Sequence, residues 1–200
     1  MSNSETEWLQ QAIQGNDEAF TQLVETYQKP VFNLCYRMLG DPQEAEDAAQ
    51  ESFWRAYQGL KRYDPQRSFI TWLLSIAAHY CIDQQRRRRL PIVSVDILPE
   101  EDVPDATPNP EKVVSQMLED QQLRSLLSTL PAQDRAAVVL RYWYDLSDEE
   151  IGQMLGLSVS AVKSRLFRAR KQLALGYSAG QQQPPQAPSP KKERHGTYAL

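Results

Sequence analysis

Cysteine and histidine are nearly absent from this chain of 200 residues, with two of each. Cys35 and Cys81 make no disulfide framework, and each stands among apolar neighbours, the setting of a buried thiol. Together with His79 and His195 they match no zinc-ligand spacing, so neither a metal nor a cofactor is expected. Glycine is scarce too, eight residues, and none falls in a P-loop or GxGxxG pattern; HExxH and GxSxG are missing as well. Carboxylates such as Asp47 and Glu51 are helix neighbours without an accompanying base or nucleophile, so the expectation is a non-enzyme. No apolar run approaches the ~20 residues that span a bilayer. The opening MSNSETEW lacks the basic and apolar regions of a secretory signal. A cytoplasmic chain without membrane insertion is expected. Strand-like alternation persists nowhere, and 41% apolar residues are enough for a core, so the fold is expected to be all-α.

What is present is charge, and it is segregated. The formal net charge of -4 conceals a strongly acidic first stretch: residues 1–60 hold three basic residues against ten acids. Residues 61–92 reverse this, with seven basic residues against two acids. Residues 93–112 return to acid, with six carboxylates against Lys112 and with four prolines. Proline removes backbone donors and biases its predecessor towards extended conformations. This segment therefore reads as a flexible acidic linker between two small helical domains, 1–92 and 113–176. Residues 177–200, rich in Gln, Pro and small residues, read as a disordered tail. Separate basic and acidic surfaces suit a protein that meets nucleic acid on one side and a basic partner on another.

Helical periodicity carries the first domain. Phe20, Leu23, Val24 and Tyr27 form a stripe that continues through Val31, Leu34, Cys35 and Met38, with Pro30 expected to open a second segment or kink the first. Asp41-Pro42-Gln43-Glu44 is a helix start, and the helix it opens turns Ala45, Ala48, Ala49, Ser52, Phe53, Ala56, Tyr57 and Leu60 inward. Its other flank shows Glu44, Asp47, Gln50, Glu51 and Trp54. A turn around Arg62-Tyr63-Asp64-Pro65 leads to a helix that buries Leu73, Ile76, Ala77 and Tyr80 and ends in Arg86-Arg87-Arg88-Arg89.

The sharpest signal lies at 147–173. Ser147-Asp148-Glu149-Glu150 is a capping box, and Leu155-Gly156-Leu157-Ser158 joins a short helix to a second one, a helix-turn-helix pattern. The second helix carries Lys163, Arg165, Arg168, Arg170 and Lys171 and no acid. A helix ~10–12 Å wide fits the major groove, where arginine and lysine neutralise phosphates and bond guanine edges. Ser160 and Ser164 lie at its start.

These residues carry a resemblance. Ser147–Leu173, SDEEIGQMLGLSVSAVKSRLFRARKQL, resembles the C-terminal DNA-reading domain of extracytoplasmic-function sigma factors of bacterial RNA polymerase. GDPQEAEDAAQESFWRAYQGL followed by SFITWLLSIAAHYCIDQQRRRR is similar to region two of the same sigma-70 family. The resemblance implies an alternative sigma factor that binds core RNA polymerase and directs it to promoter DNA. It implies that Asp47, Gln50 and Glu51, with Trp54 nearby, meet the clamp helices of the largest polymerase subunit. It places the opened minus-ten strand against Arg62, Tyr63, Arg67, Phe69, Trp72, His79, Arg86 and Arg87, with basic side chains tracking the backbone and rings stacking on bases. Tyr63, in the turn, is expected to be exposed; Phe69 fits a core position as well as a stacking platform. His79 stands where relatives carry asparagine. The duplex minus-thirty-five element falls to Ser160, Lys163, Ser164, Phe167 and Arg168, with Arg165 and Arg170 nearer the phosphates. Many family members are held by an anti-sigma factor, and no residue here proves or excludes one.

Two further readings stay open at this level. A stand-alone helix-turn-helix regulator would bind duplex DNA without polymerase, leaving residues 44–89 without a role. A sigma mimic would lack usable DNA-reading bases, whereas Lys163 through Arg170 are intact.

Overall fold

The computed structural model describes residues 3–65, 67–89 and 120–181, and every structural statement below concerns them. Among the described residues there are helices and turns and no strand. The order is α1 Asn3–Ile13, α2 Asp17–Leu39, α3 Pro42–Gly59, a single 3-10 turn Leu60–Arg62, α4 Phe69–Arg89, α5 over 120–128, α6 Ala132–Trp143, α7 Asp148–Leu155 and α8 Val159–Gln181. The fold is all-α. One unit is built from α1–α4 and a second from α5–α8. The linker 93–112, the start of the helix expected from Val113 and the chain beyond 181 lie outside the described residues.

Local signals set the helix ends. Asn16 Oδ1 accepts the Ala19 amide at 3.1 Å to open α2, and Gly40 closes it at φ 86, a left-handed conformation in which glycine escapes the Cβ clash. Asp41 Oδ1 accepts the Glu44 amide at 2.8 Å to open α3, with Pro42 in the first turn. Pro30 does not divide α2, which runs unbroken. One missing donor is outweighed by the apolar row on both sides of it: Leu23, Val31, Leu34 and Met38 are essentially inaccessible. Cys35 and Cys81 are wholly buried where α2 meets α4. A hydrogen bond to Cys35, together with burial, pushes the Cys81 thiol well above its ordinary range.

The small inward row of α3 (Ala45, Ala48, Ala49, Ser52, Ala56) is buried, which lets α3 lie close to its neighbours. Tyr57 departs from the expected inward position and is 38% exposed. Its Oη donates to Asp17 Oδ1 at 2.6 Å and its ring packs edge-on to Phe20 at 5.0 Å, so it turns to the rim between α2 and α3.

In the second unit the capping box is complete. The Ser147 hydroxyl accepts the Glu150 amide, and the Glu150 carboxylate accepts the Ser147 amide at 2.8 Å. Gly156 takes φ 65 at the turn. Gly152 serves a different need: a Cβ there would stand 2.8 Å from the Leu157 carbonyl oxygen, so only glycine lets the turn fold back onto α7. Val162, Leu166 and Ala169 seat α8 inward. This helix continues through residues 177–181, expected to begin the tail. Its far end docks on α5, where Gly176 abuts Leu126 and Gln172 Nε2 donates to the Thr129 carbonyl at 2.8 Å.

The two units pack on each other, α6 against α2 and α4, and α7 against α4. The contact centres on the end of α2. The Met38 carbonyl accepts both Gln85 Nε2 at 2.6 Å and Arg135 Nη1 at 2.5 Å, the second crossing between units. Tyr144 Oη donates to the Pro30 carbonyl at 2.5 Å, Arg37 lies over the Trp143 ring at 4.9 Å, and Arg124 donates to the Tyr36 hydroxyl.

The capping box yields a pH-dependent expectation. Bonds from the Ser147 hydroxyl and amide hold the Glu150 carboxyl below its ordinary value. A lowered folded-state value means stability present above the usual carboxylate range and lost as pH falls through the lowered value. Ser147→Ala is expected to lose about 1 kcal/mol at pH 7 in urea denaturation. That difference should narrow once the pH drops below the usual carboxylate range. An equal deficit at both pH values contradicts the assignment.

Candidate nucleic-acid interface and acidic docking face

Along α8, Lys163, Ser164, Phe167, Arg168 and Arg170 line one shallow open groove of about 570 Å³. Phe167 is 65% exposed, an apolar ring held out to solvent on an otherwise cationic face. Ser158 caps the helix through the Ala161 amide at 3.3 Å, and Ser160 sits exposed beside it. Ser164 Oγ donates to the Ser160 carbonyl at 2.9 Å, which leaves its lone pairs as acceptors. Arg170 Nε folds back to the Leu166 carbonyl at 3.2 Å.

Arg165 does not join them. Its Nη1 donates to Asp134 Oδ1 at 2.7 Å, and only 23% of its side chain is exposed. The expected phosphate contact meets a competing partner inside the unit, a buried carboxylate paired with this guanidinium. Sequence reasoning missed Asp134, which lies 31 positions away. An acid in the first turn of a helix reads as an ordinary complement to the helix dipole.

The loop between α3 and α4 is built on aromatics that face inward. Tyr63 is 5% exposed and Phe69 is wholly buried. The expectation of an exposed Tyr63 is therefore corrected, and Phe69 takes the core alternative. Tyr63 stacks edge-on to Phe69 at 5.7 Å and meets Trp72 at 5.1 Å, while Phe69 also meets Tyr27 at 5.6 Å. The Tyr63 hydroxyl donates to the Arg67 carbonyl, tying the loop end to the cluster. Burial and the nearby Glu5 push the Tyr27 phenol upward. Of the three expected rings, Trp72 keeps an accessible edge. Arg62 and Arg67 are exposed.

On α4, positions 72, 79 and 86 follow one another at two-turn intervals, so Trp72, His79 and Arg86 share one stripe. His79 is exposed, and its Nδ1 donates to the Ser75 carbonyl at 2.8 Å, leaving Nε2 outward. Arg86 and Arg87 are exposed, with Asp83 3.8 Å from Arg86.

The acidic flank of α3 occupies the side opposite the alanine row. Asp47, Gln50 and Trp54 are exposed; Glu51 is half-buried and pairs with Arg55 Nε at 2.7 Å. Gln50 and Trp54 also border a groove of about 410 Å³ with Asp17, Phe20, Phe53 and Tyr57, all four of which sequence reasoning left out of the site. The signal that finds them is Tyr57, whose hydroxyl reaches across to α2.

A helix with an acidic outer flank in one unit and a basic helix-turn-helix in the next define a two-module DNA-binding transcription protein. Comparison supplies the particular class. Residues 23–90 match the family model described as sigma-70 region 2, and residues 120–173 match sigma-70, region 4. The chain is 36% identical over 183 residues to the ECF RNA polymerase sigma factor SigW of Bacillus subtilis, covering 82% of this chain and 92% of that protein. It is 33% identical over 170 residues to the RNA polymerase sigma-H factor of Pseudomonas aeruginosa, covering 82% and 88%. Among solved structures, CnrH in complex with the cytosolic domain of CnrY matches with a TM-score of 0.66 at 27% identity, covering 88% of this chain and 99% of that one. The chain belongs to the extracytoplasmic-function sigma factors of the sigma-70 family. It binds core RNA polymerase and directs it to promoter DNA for transcription initiation. No helix among the described residues is long and apolar enough to cross a membrane.

Arg165 and Arg168 should therefore separate in mutagenesis. Arg165→Ala leaves Asp134 buried without its tight partner and is expected to cost about 3 kcal/mol in denaturation. Arg168→Ala should stay within about 1 kcal/mol of the parent, since its long contact is largely solvated. Equal stability losses would contradict the distinction.

Proposed function

We propose a division of labour among three surfaces. Asp47, Gln50, Glu51 and Trp54 grip the clamp helices of the largest polymerase subunit. Arg62, Arg67, Trp72, His79, Arg86 and Arg87 follow the unpaired minus-ten strand, with Tyr63 and Phe69 supporting their loop from beneath. Ser160, Lys163, Ser164, Phe167, Arg168 and Arg170 read the minus-thirty-five duplex. The observation that carries this reading is the flank of α3: its acids and Trp54 point away from the core, while the alanine row holds the helix rigidly in place.

The chain works by coupling without catalysis; polymerase performs the nucleotide chemistry, in the cytoplasm. Each DNA surface is small. Fixing both on polymerase makes the second contact effectively intramolecular. The two elements lie about 25 base pairs apart, roughly 85 Å at 3.4 Å per pair. Two helical units in contact, each about 30 Å across, do not span that. Binding to polymerase thus requires the α2–α6 contact to open, and the closed chain is the form that exists before assembly. A protein partner for the closed chain fits this picture; the related CnrH was solved in complex with the cytosolic domain of CnrY.

The test is charge reversal, Asp47→Lys with Glu51→Lys. Affinity for core polymerase is expected to fall by at least tenfold and run-off transcription to disappear. The circular dichroism melt should shift only slightly, because Asp47 lies off the core and the exposed Glu51–Arg55 pair is worth about 0.5 kcal/mol. Retained polymerase binding in the folded variant contradicts the docking face.

A further inference from the structure

Asp134 lies beneath the reading face of α8, although it belongs to α6. It is 3% exposed. Polar oxygens at that depth need bonding partners, and two come from α8. Arg165 Nη1 bonds Oδ1 at 2.7 Å, while Arg168 Nη2 stands 3.4 Å from both oxygens. The two contacts differ in kind. The first is a tight charge-assisted bond to a guanidinium whose side chain is 23% exposed, so Arg165 is locked. The second is at the long end of bonding distance, to a side chain that is 61% exposed. Arg168 is tethered by one nitrogen and borders the groove with Lys163, Ser164 and Phe167.

We propose that Asp134 is a positioning residue for promoter duplex recognition. It restrains the Arg168 guanidinium so that its remaining donors are presented to a base-pair edge, guanine O6 and N7 being the natural fit. It also meets the Arg165 charge inside the protein, so that this arginine does not grip phosphates regardless of sequence. The inference rests on the reading of α8 as the minus-thirty-five helix.

The physical argument concerns freedom and charge. A long exposed arginine samples many rotamers, and ordering it at an interface is costly. A side chain already restrained has lost part of that freedom before DNA arrives. A planar fork whose plane is fixed discriminates among base edges better than one that also reaches phosphates. Arg165 contributes little to counterion release while its charge is paired internally. One carboxylate therefore pushes specific and non-specific binding in opposite directions.

The experiment uses the full chain with core polymerase. The complex selects from a DNA duplex library randomised across the minus-thirty-five segment. Its binding to the selected duplex, to single base-pair variants and to a scrambled duplex is then measured against salt. The position read by Arg168 is the one where Arg168→Ala relaxes selection. Asp134→Asn keeps the volume and an acceptor oxygen but removes the charge. Discrimination at that position is expected to fall about tenfold. Scrambled duplex should bind more tightly, and the salt slope should steepen by about one. Asp134→Asn combined with Arg165→Gln replaces the buried pair by two neutral amides and guards against a fold defect. It should show the same loss of discrimination without the steeper slope. Unchanged discrimination in the folded variants, or equal changes for selected and scrambled duplexes, overturns the proposal. If Arg168→Ala leaves selection untouched, the reading of α8 fails. If Arg168→Ala relaxes selection and Asp134→Asn does not, only the role of Asp134 fails.

Discussion

A guanidinium seated on the end of a helix holds the closed molecule together. Arg135 is 6% exposed, and its donors reach the Met38 carbonyl of the first unit and the Ser128 and Leu130 carbonyls of its own. The last carbonyls of an α-helix have no partner within it and carry the negative end of its dipole. A buried cation is favoured there, where desolvation would otherwise cost several kcal/mol. Gln85 donates to the same Met38 oxygen from within the first unit. One carbonyl thus joins α2, α4 and α6. Tyr144 and Arg37 extend the contact along α2.

Such a junction suits a contact that must form and also release. It is made of directional bonds at a helix end as well as apolar packing, and water satisfies the same carbonyls once the units part. Two of the three proposed surfaces stand apart from these bonds, while the third, the stripe of Trp72, His79 and Arg86, lies on α4, which the junction holds. The acids of α3 and the cations of α8 belong to different helices from those the junction ties together. The acidic flank and the cationic reading face fall on separate elements, α3 and α8. The buried Asp134 is the exception, an acid set directly under the cationic helix, and there it sorts two arginines into different duties.

Much of this was legible in the residues, because local chemistry decided it. Asp41 and Ser147 with Glu150 announced their helices, Gly156 announced its turn, and the alanine row of α3 told its inner face from its outer one. Where tertiary contacts decide, sequence pattern misleads. Pro30 signals a break that the flanking apolar row overrides. Tyr57 sits at an inward spacing yet finds Asp17 at the rim. Tyr63, in a turn, is drawn into a cluster with Phe69 and Trp72 because that loop folds over its own rings. Arg165 looked identical to its basic neighbours until a carboxylate 31 residues away claimed it. The extent of α8 depended on Gly176 meeting Leu126, a contact no periodicity reveals. The packing of one unit on the other has no local signature at all.

The closed-to-open change is measured most directly by pulsed dipolar spectroscopy. Spin labels at Gln58 and Lys171, exposed positions on α3 and α8, report the distance between the units, while the native cysteines stay buried. One short distance is predicted for the free chain. On adding core polymerase and promoter DNA it should lengthen by tens of ångströms, the scale set by elements roughly 85 Å apart. The same distance in both states, or a broad long distribution in the free chain, would contradict the account.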